Sequence, residues 1–427
     1  MFPYGVMNMQ IDYSTLPDNK VICADAKSFY ASVEAVERGL DPLKAMIAVV
    51  GDLSRRGSVV LAASPAIKER YRIKTGSRLY EIPDDPRIYV VPARMGLYIE
   101  RSMQILNIVH RFAPAEAIQP YSIDELFFTT LHSERLFGPI RNVAMALKRA
   151  VYKELGLLLA VGIGPNKFLA KVILDNYAKK TGLAAITYKE IPAVLWPLPI
   201  QDIWGIGRRM QLNLNRLGIY RLGDLAKAPL SLLRSRYGVM GEQMYYHAWG
   251  MDLSPVIVDP YTEARKGFST GVTLMRDYYK EDALVAIYEL TDQITSKLRR
   301  FRLAAFTVSL SIRYSNKMPM PSYHKSRTLY AASCLSVPFL EVLQQLLHAS
   351  SDGPIRHITI SVSNLVEESA IQLDLFDSVY HEKLRRLSRT TDAIQQRHGS
   401  AAILRAISLT DAGIALNRSH KIGGHYE

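Results

Sequence analysis

The distribution of strand signals along the chain is the feature that most constrains its fold. Strand signals alternate with helical segments up to about residue 190 and are absent from about 191 to 258. They return near 268–274, 303–314 and 355–364, with a helix predicted from about 281 to 300. A chain of 427 residues is also too long for one ordinary core. The pattern therefore predicts an α+β domain with an insertion after its first strand, then an all-helical segment, then a second domain with strands.

The charge distribution predicts a polyanionic partner. The chain has 53 Lys and Arg against 40 Asp and Glu, a net charge of +13. Residues 265–330 contain twelve Lys and Arg against five Asp and Glu, so more than half of the net charge lies in this short stretch. Such clustering favours contacts with nucleic-acid phosphates over a basic surface that only maintains solubility.

Composition also indicates the compartment. Charged residues interrupt every apolar run before it reaches the ~20 residues of a membrane helix, and residues 1–17 lack the basic and apolar segments of a secretion signal. The two cysteines, Cys23 and Cys334, support neither a disulfide framework nor a zinc cluster. We expect a cytoplasmic protein with no membrane partner.

Three carboxylates are the first candidates for chemistry. Asp25 ends an apolar strand, and Asp124 and Glu125 lie in a second strand or hairpin. Buried carboxylates need a counterion, and oxygen ligands favour Mg²⁺. Two such ions ~3.5–4 Å apart would activate a hydroxyl and neutralise a leaving phosphate. The alternative is a pair of exposed hairpin acids, and a shared site requires a backbone bend because strand neighbours point to opposite faces.

Two further patterns suggest nucleotide and DNA contacts. Phe29 and Tyr30 begin a helix, where an aromatic ring would stack on a sugar and exclude a 2′-hydroxyl, or would simply join the core. Gly205, Gly207, Arg208 and Arg209 lie between two helical stretches, which is typical of a helix–hairpin–helix that binds phosphates through backbone N–H groups. The alternative for the second pattern is an ordinary glycine turn.

A short apolar island interrupts the polar C-terminal tail. It consists of Gln372, Leu373, Asp374, Leu375 and Phe376. Two leucines and a phenylalanine in a flexible segment suggest docking into a hydrophobic pocket of a partner. The alternative is a short helix that packs back on the protein.

Two of these motifs together resemble the signatures of a known family. The segments Cys23-Ala24-Asp25-Ala26-Lys27-Ser28-Phe29-Tyr30-Ala31-Ser32-Val33-Glu34 and Ser122-Ile123-Asp124-Glu125 are similar to the two signature motifs of Y-family (DinB/UmuC-type) DNA polymerases. The resemblance runs in order through about residues 20–365 and looks closest to the UmuC-like branch of Gram-positive bacteria.

The resemblance implies a right-hand polymerase architecture. The palm would comprise residues 18–28 and 96–190, the small fingers 29–95, and the helical thumb 191–258 with its helix–hairpin–helix. An α/β little finger would span 265–365. Residues 1–17 would form an N-terminal extension, and 366–427 a tail that carries a clamp-binding motif.

The resemblance also implies roles for individual residues. Asp25, Asp124 and Glu125, with the carbonyl of Ala26, would bind two Mg²⁺ ions. Tyr30 would be the steric gate against ribonucleotides, with Phe29 beside it. The remaining assignments are triphosphate contacts at Lys68 and Lys179, DNA contacts at Gly205, Gly207, Arg208, Arg209, Arg299, Arg300 and Arg302, and a sliding-clamp contact at Gln372–Phe376.

The chain departs from the family pattern at two positions. Lys27 stands where many members have Asp or Asn, so its side chain is not expected to bind a metal. The tyrosine that the family has at a fingers position near Ala66 is missing, so triphosphate contacts are expected to differ there.

The predicted function is error-prone, DNA-directed DNA synthesis past template damage. The partners would be primer–template DNA, dNTPs and the sliding clamp, and the protein would act as a monomer. Two alternatives are a palm-fold nucleotide cyclase and a catalytically inactive, DNA-binding accessory protein. A cyclase would not need the Gly205–Arg209 hairpin or the basic segment, and an inactive protein would not need the three carboxylates.

Overall fold

The computed structural model describes residues 11–131, 134–256, 265–371, 378–423 and 425–426. The chain divides into two units, residues 1–260 with 425–427 and residues 261–424. Strands and helices are mixed in both units.

The first unit holds the segments predicted to carry the chemistry. Its strands are β1 (Val21–Ala26), β2 (Met46–Val50), β3 (Val60–Ala63), β4 (Ile88–Pro92), β5 (Ile118–Pro120), β6 (Glu125–Thr129), β7 (Leu159–Gly164) and β8 (Leu183–Ala185). Its helices are α1 (Phe29–Val36), α2 (Pro65–Tyr71), α3 (Met95–Val109), α4 (Glu134–Phe137), α5 (Ile140–Leu155), α6 (Lys167–Ile173), α7 (Lys179–Thr181), α8 (Ile191–Val194), α9 (Arg208–Asn215), α10 (Leu222–Lys227), α11 (Leu230–Tyr237) and α12 (Val239–Ala248). A π-helical segment, Leu174–Ala178, joins α6 to α7.

A five-stranded sheet with the order β5-β6-β1-β7-β8 forms the centre of this unit. β1 is antiparallel to both neighbours. Val21 and Cys23 pack with Phe127 on one face of the sheet. Because strand side chains alternate, Asp25 follows Val21 and Cys23 on the same face. The register places Asp25 opposite Glu125, so two carboxylates are cross-strand neighbours there.

Two glycines of β7 allow α6 to lie directly on this face. A Cβ atom at Gly162 would overlap the carbonyl oxygen of Ala170 and lie 2.7 Å from Cβ of Leu174. One at Gly164 would lie 2.7 Å from the backbone nitrogen of Ala170. The helix that starts at the Asn166 N-cap is therefore held close to the strand ends that carry the carboxylates. Pro165 precedes this cap and lies outside the helix.

We expect Gly162→Ala to destabilise the first unit by about 2 kcal/mol or more, because neither backbone segment can move away from the added methyl group. Chemical denaturation followed by circular dichroism measures this. Gly57→Ala is the matched control, since a Cβ there meets no atom within 4 Å. Equal stability of the two variants would contradict the close packing of α6 on β7.

Between α1 and α3 the chain forms a separate three-stranded sheet with the order β3-β2-β4. β2 is antiparallel to β3 and parallel to β4. Ala48, Val50, Val60, Ala63 and Ile67 form its small core. Ile73 completes this core, and Met46, Leu79, Ile82, Ile88 and Val90 pack against it.

The described residues from 191 to 256 contain helices and turns and no strand. Their core includes Ile203, Ile206, Leu214, Ile219 and Leu222. This part of the sequence lacks strand signals, and in the structure it is helical.

The second unit is a four-stranded antiparallel sheet covered by helices. Its elements are β9 (Gly267–Tyr278), α13 (Lys280–Arg300), β10 (Leu303–Tyr314), β11 (Tyr323–Ser333), α14 (Ser336–His348), β12 (Ile355–Glu367), α15 (Ser378–His398), α16 (Ala415–Ser419) and the two-residue strand β13 (Lys421–Ile422); a last strand, β14 (His425–Tyr426), follows it in the chain. The sheet order is β11-β10-β12-β9. α13 and α14 contribute Leu290, Ile294 and Leu343 to the core of this unit. The sequence did not predict β11 or α14.

The C-terminal segment packs on α13. Arg405 donates to both carboxylate oxygens of Asp292, at 2.6 and 2.9 Å. The Tyr278 hydroxyl donates to the carbonyl of Ala412, which is buried in the core of this unit. The sequence indicates only a polar and charged tail here. Ion pairs and backbone contacts, rather than a large apolar face, hold its helical part against the rest of the unit.

Candidate active site

A cleft of about 600 Å³ opens at the end of β1. Its walls come from the five-stranded sheet, from α1 and from the inserted three-stranded sheet. The predicted site residues that line it are Asp25, Ala26, Phe29, Tyr30, Lys68, Asp124 and Lys179. Residues more than 150 positions apart in the sequence therefore meet in one cleft.

A backbone bend gives Asp124 and Glu125 different environments. The amide of Ala26 donates to the carbonyl of Asp124 at 2.8 Å, and the amides of Tyr121 and Ser122 both donate to the carbonyl of Glu125 at 2.9 Å. β6 starts at Glu125, so Asp124 lies in the bend just before the strand. Its carboxylate accepts a hydrogen bond of 2.7 Å from the Ser122 hydroxyl and lines the cleft. The backbone therefore bends here, but only Asp124 lines the cleft, while Glu125 pairs with Lys171.

Asp25 is a mostly buried carboxyl beside a lysine. Its Oδ2 lies 3.0 Å from Nζ of Lys179. Burial nevertheless raises the pKa of Asp25 to about 6, because the attraction of Lys179 is smaller than the loss of hydration and Asp124 and Glu125 add negative charge. The charge of this carboxylate is therefore incompletely compensated by the chain itself.

This pKa predicts how stability depends on pH when no divalent cation is present. Between pH 3.8 and about 6 the unfolded chain loses the Asp25 proton while the folded protein keeps it, so folding weakens as pH rises through this window. Urea unfolding in EDTA at several pH values should show a fall in wild-type stability that Asp25→Asn lacks. Parallel pH profiles for the two proteins would show that the carboxyl is not under-compensated.

Glu125 is buried on the inner side of the sheet. Nζ of Lys171 lies 2.8 Å from Oε1 and 2.9 Å from Oε2, and Sγ of Cys23 lies 3.2 Å from Oε1. Lys171 also lies 3.1 Å from Asp175, which in turn lies 2.8 Å from Lys179. An alternating chain of charges thus runs from Glu125 along the helix to Asp25. Sequence reasoning missed Lys171, although residues 171, 175 and 179 have the four-residue spacing of one helix face.

The ligand chemistry of the cleft fits a divalent cation. Asp25 and Asp124 offer carboxylate oxygens and Ala26 adds a backbone carbonyl, and the described residues that line the cleft include no histidine. Burial is the main cause of the raised pKa of Asp25, with Asp124 and Glu125 adding to it, and a bound cation would stabilise the ionised carboxylate. Within the described ranges no three acidic, histidine or cysteine side chains already form a cation cluster, so Glu125 would have to move to become a third ligand.

The ring of Tyr30 is held in the wall of the cleft. It stacks on Tyr98 with ring centroids 4.3 Å apart and an angle of 12° between the planes. The hydroxyl of Tyr98 donates to Glu34, which also accepts from Arg94. The stack and this buried network fix the ring orientation. Phe29 is buried beside it.

Three lysines form the basic part of the cleft. Nζ of Lys68 donates to the Ser28 hydroxyl at 2.9 Å. Burial and the nearby charge of Lys179 lower the pKa of Lys68, and Lys27 acts in the same direction. Like charges gathered in one cleft make it attractive to a polyanion such as a triphosphate.

The predicted hairpin lies between two turns of the helical segment. Gly205 has φ +89°, a left-handed conformation that favours glycine, and Gly207 is the N-cap of α9. Arg208 and Arg209 follow in the exposed first turn of α9. Trp204, beside Gly205, packs edge-on against Tyr121 at 5.9 Å between ring centroids, next to the bend that holds Asp124.

The structure corrects one DNA-binding prediction in the second unit. The Arg299 side chain is only 8% exposed and donates to both carboxylate oxygens of Asp392 and to the carbonyl of Cys334. It joins α13 to α15 and is not available to DNA. Arg300 and Arg302 are exposed. The sequence did not distinguish these three arginines because their partners lie far away in the chain.

The predicted clamp peptide, Gln372–Phe376, lies outside the described residues. So do residues 1–10 of the predicted N-terminal extension. Among the helices of the described ranges, none has the length and apolarity required to cross a membrane.

The fold is that of a polymerase. The chain is similar to a Y-family DNA polymerase chimera of Dbh and Dpo4, with a TM-score of 0.65 and 21% identity over 82% of this chain and 99% of that one. The predicted fold class, α+β with a right-hand polymerase architecture, is confirmed by this similarity.

Sequence comparisons identify the family. Residues 24–175 match the impB/mucB/samB family, 188–219 the HHH motif of the IMS family, and 265–375 the C-terminal domain of the impB/mucB/samB family. A putative UV-damage repair protein, UvrX, of Bacillus subtilis (strain 168) is 41% identical over 97% of this chain and 99% of its own length. A protein named DNA polymerase IV 2 of the same organism is 35% identical over 96% of this chain and 100% of its own. The chain belongs to the impB/mucB/samB family, the UmuC/DinB-type Y-family of DNA polymerases, as the signature motifs predicted.

Proposed function

We propose that this Y-family polymerase extends a DNA primer on a template strand and tolerates damaged template bases. The observation that supports this best is the single cleft that joins Asp25 and Asp124 to Lys68, Lys179 and Tyr30. Nucleotidyl transfer requires carboxylates that bind a cation, ammonium groups that bind a triphosphate and a side chain that contacts the sugar. The names of the relatives, which refer to a DNA polymerase and to repair of UV damage, agree with this proposal.

Membership of the family implies a divalent cation, and we propose two Mg²⁺ ions. Asp25, Asp124 and Glu125, with the carbonyl of Ala26, would hold them. Bound there, the ions would activate the primer 3′-hydroxyl and neutralise the leaving pyrophosphate.

The side chains of the cleft would perform the remaining tasks. Lys68 and Lys179 would bind the triphosphate, so that the α-phosphorus faces the primer 3′-oxygen. Tyr30 would contact C2′ of the sugar and leave no room for a hydroxyl. Positioning and charge neutralisation would thus account for most of the catalysis.

We assign the segments of the fold by the same proposal. The palm would be 18–28 and 96–190, the fingers 29–95, the thumb 191–258, the little finger 265–365, and the tail 366–427. DNA would be bound by the backbone at Gly205 and Gly207 and by the side chains of Arg208, Arg209, Arg300 and Arg302. The small core of the fingers supports loose enclosure of the nascent base pair, and hence tolerance of lesions.

A primer-extension assay with Mg²⁺ on intact and on lesion-containing templates tests the function. We expect template-directed addition of dNMPs on both. No extension with Mg²⁺ or Mn²⁺ would favour an inactive, DNA-binding accessory protein. A cyclic nucleotide formed from a free triphosphate without DNA would favour a cyclase.

We further propose that the protein acts as a cytoplasmic monomer that docks on the sliding clamp through Gln372–Phe376. Replacing Leu375 and Phe376 with Ala is expected to leave extension of a bare primer unchanged and to reduce clamp stimulation about tenfold or more, because the clamp raises the effective concentration of the enzyme at the primer end. Leu387→Ala, an exposed leucine of α15, is the control. Equal loss with and without the clamp would indicate a structural role.

A further inference from the structure

Glu125 is turned away from the cleft that its neighbour Asp124 lines. Only 8% of its side chain is exposed, and both carboxylate oxygens accept contacts from inside the protein. In this arrangement Glu125 could not coordinate a cation held by Asp25 and Asp124. Either Glu125 is not a ligand of the cation, or it leaves its present partners when the cation binds.

Lys171 is the group that holds Glu125. Its side chain is 7% exposed and lies 2.8 Å from Glu125 and 3.1 Å from Asp175. The helix that carries it rests on Gly162 and Gly164, so Lys171 cannot withdraw together with its backbone. Cys23 contributes a weaker contact on the same carboxylate.

Asp175 makes an exchange of partners feasible. If Glu125 turned towards the cleft, Lys171 would keep Asp175 as its partner, and Asp175 lies on the same helix face at a spacing of four residues. Neither state would then leave a buried charge without a counterion, which is the costly situation in a protein interior. A salt bridge with only two members would not allow this.

We propose that Lys171 is a positioning residue that holds Glu125 away from the cleft until a divalent cation binds, after which Glu125 exchanges Lys171 for the cation. The inference rests on the proposed function, because it requires a cation at Asp25 and Asp124. The inference adds that Lys171 and the cation compete for Glu125. In the absence of substrate Lys171 weakens cation binding, and it compensates the charge of the buried carboxylate.

Binding of Mn²⁺ to the full chain without DNA tests this competition. Mn²⁺ titration followed by electron paramagnetic resonance gives the affinity, and thermal unfolding in EDTA and in Mn²⁺ gives the stabilisation by the cation. We expect Lys171→Met to bind Mn²⁺ about tenfold more tightly than wild type, within the usual range for coupled sites. This variant should also unfold at a lower temperature in EDTA, and Mn²⁺ should raise its unfolding temperature by more than it raises that of wild type. A merely structural defect would weaken binding.

Three matched variants separate Glu125 from a general charge effect. Lys171→Arg keeps the ion pair and should bind Mn²⁺ as wild type does. Lys180→Met removes an exposed charge from the same helix end and should leave the affinity unchanged. In a Glu125→Gln background, Lys171→Met should tighten binding less than about twofold, because the released ligand is missing.

The outcomes are distinct. Unchanged or weaker Mn²⁺ binding by Lys171→Met would overturn the role of Lys171, and so would equal tightening in the Glu125→Gln background. If Asp25→Asn and Asp124→Asn bound Mn²⁺ as wild type does, the cation site itself would be wrong, and both proposals would fall. If Lys171→Met did not fold even with Mn²⁺, Cys23→Ala would replace it. It removes one contact to Glu125 and should tighten binding about threefold, and an unchanged affinity would count against the inference.

Discussion

Asp124→Asn is expected to reduce primer extension by about 10³-fold or more, the scale on which loss of one electrostatic group at a transition state is usually felt. Asp124 lines the cleft at a bend, and its carboxylate has only the Ser122 hydroxyl among the contacts described for it. The amide would keep that hydrogen bond and lose the charge. The rate should therefore fall while the thermal stability stays close to wild type.

Glu125→Gln should have a comparable effect on the rate and a different effect on stability. The neutral amide would leave Lys171 with Asp175 as its remaining acidic partner, so the variant should also unfold more easily. Glu116→Gln, an exposed residue just before β5, is the control for a lost charge near the same sheet. Single-turnover extension and thermal unfolding measure the two quantities. Normal rates for either acidic-site variant would refute the carboxylate assignment.

Tyr30→Ala is expected to admit ribonucleotides. The ratio of kcat/KM for a dNTP to that for the matching ribonucleotide should fall by about 100-fold, the scale on which contacts with one or two substrate atoms usually discriminate. The physical reason is rigidity, since the ring stacks on Tyr98 and cannot swing away from a 2′-hydroxyl. Removal of the ring opens that space while the cation ligands remain.

Two further variants sharpen this result. Tyr89→Ala removes an exposed tyrosine of β4 and should leave sugar selectivity unchanged. Tyr98→Phe keeps the stacked ring and should also retain selectivity, although Glu34 loses one donor. Unchanged selectivity in Tyr30→Ala would mean that another part of the cleft excludes ribonucleotides.

The elements that the sequence predicted well are those whose signals are local. β1 is a run of buried apolar residues, α1 follows with apolar residues at helical spacing, and α13 is a long amphipathic helix. Among the missed elements, α14 does have apolar residues at helical spacing and could have been predicted, whereas β11 and α15 lack such signals. β11 is an edge strand with mostly exposed side chains, and α15 has few apolar residues and is held by ion pairs such as Arg299–Asp392.

The sequence by itself determined the family and the candidate ligands, because the motifs around Asp25 and Asp124 are contiguous and occur in a specific order. Only the tertiary structure decided how they are arranged. The bend at Asp124 depends on a hydrogen bond from Ala26, almost a hundred residues earlier. The burial of Glu125 against Lys171 depends on how α6 lies on the glycines of β7. Both are contacts between distant segments, and their energies depend on packing and burial that no local pattern encodes.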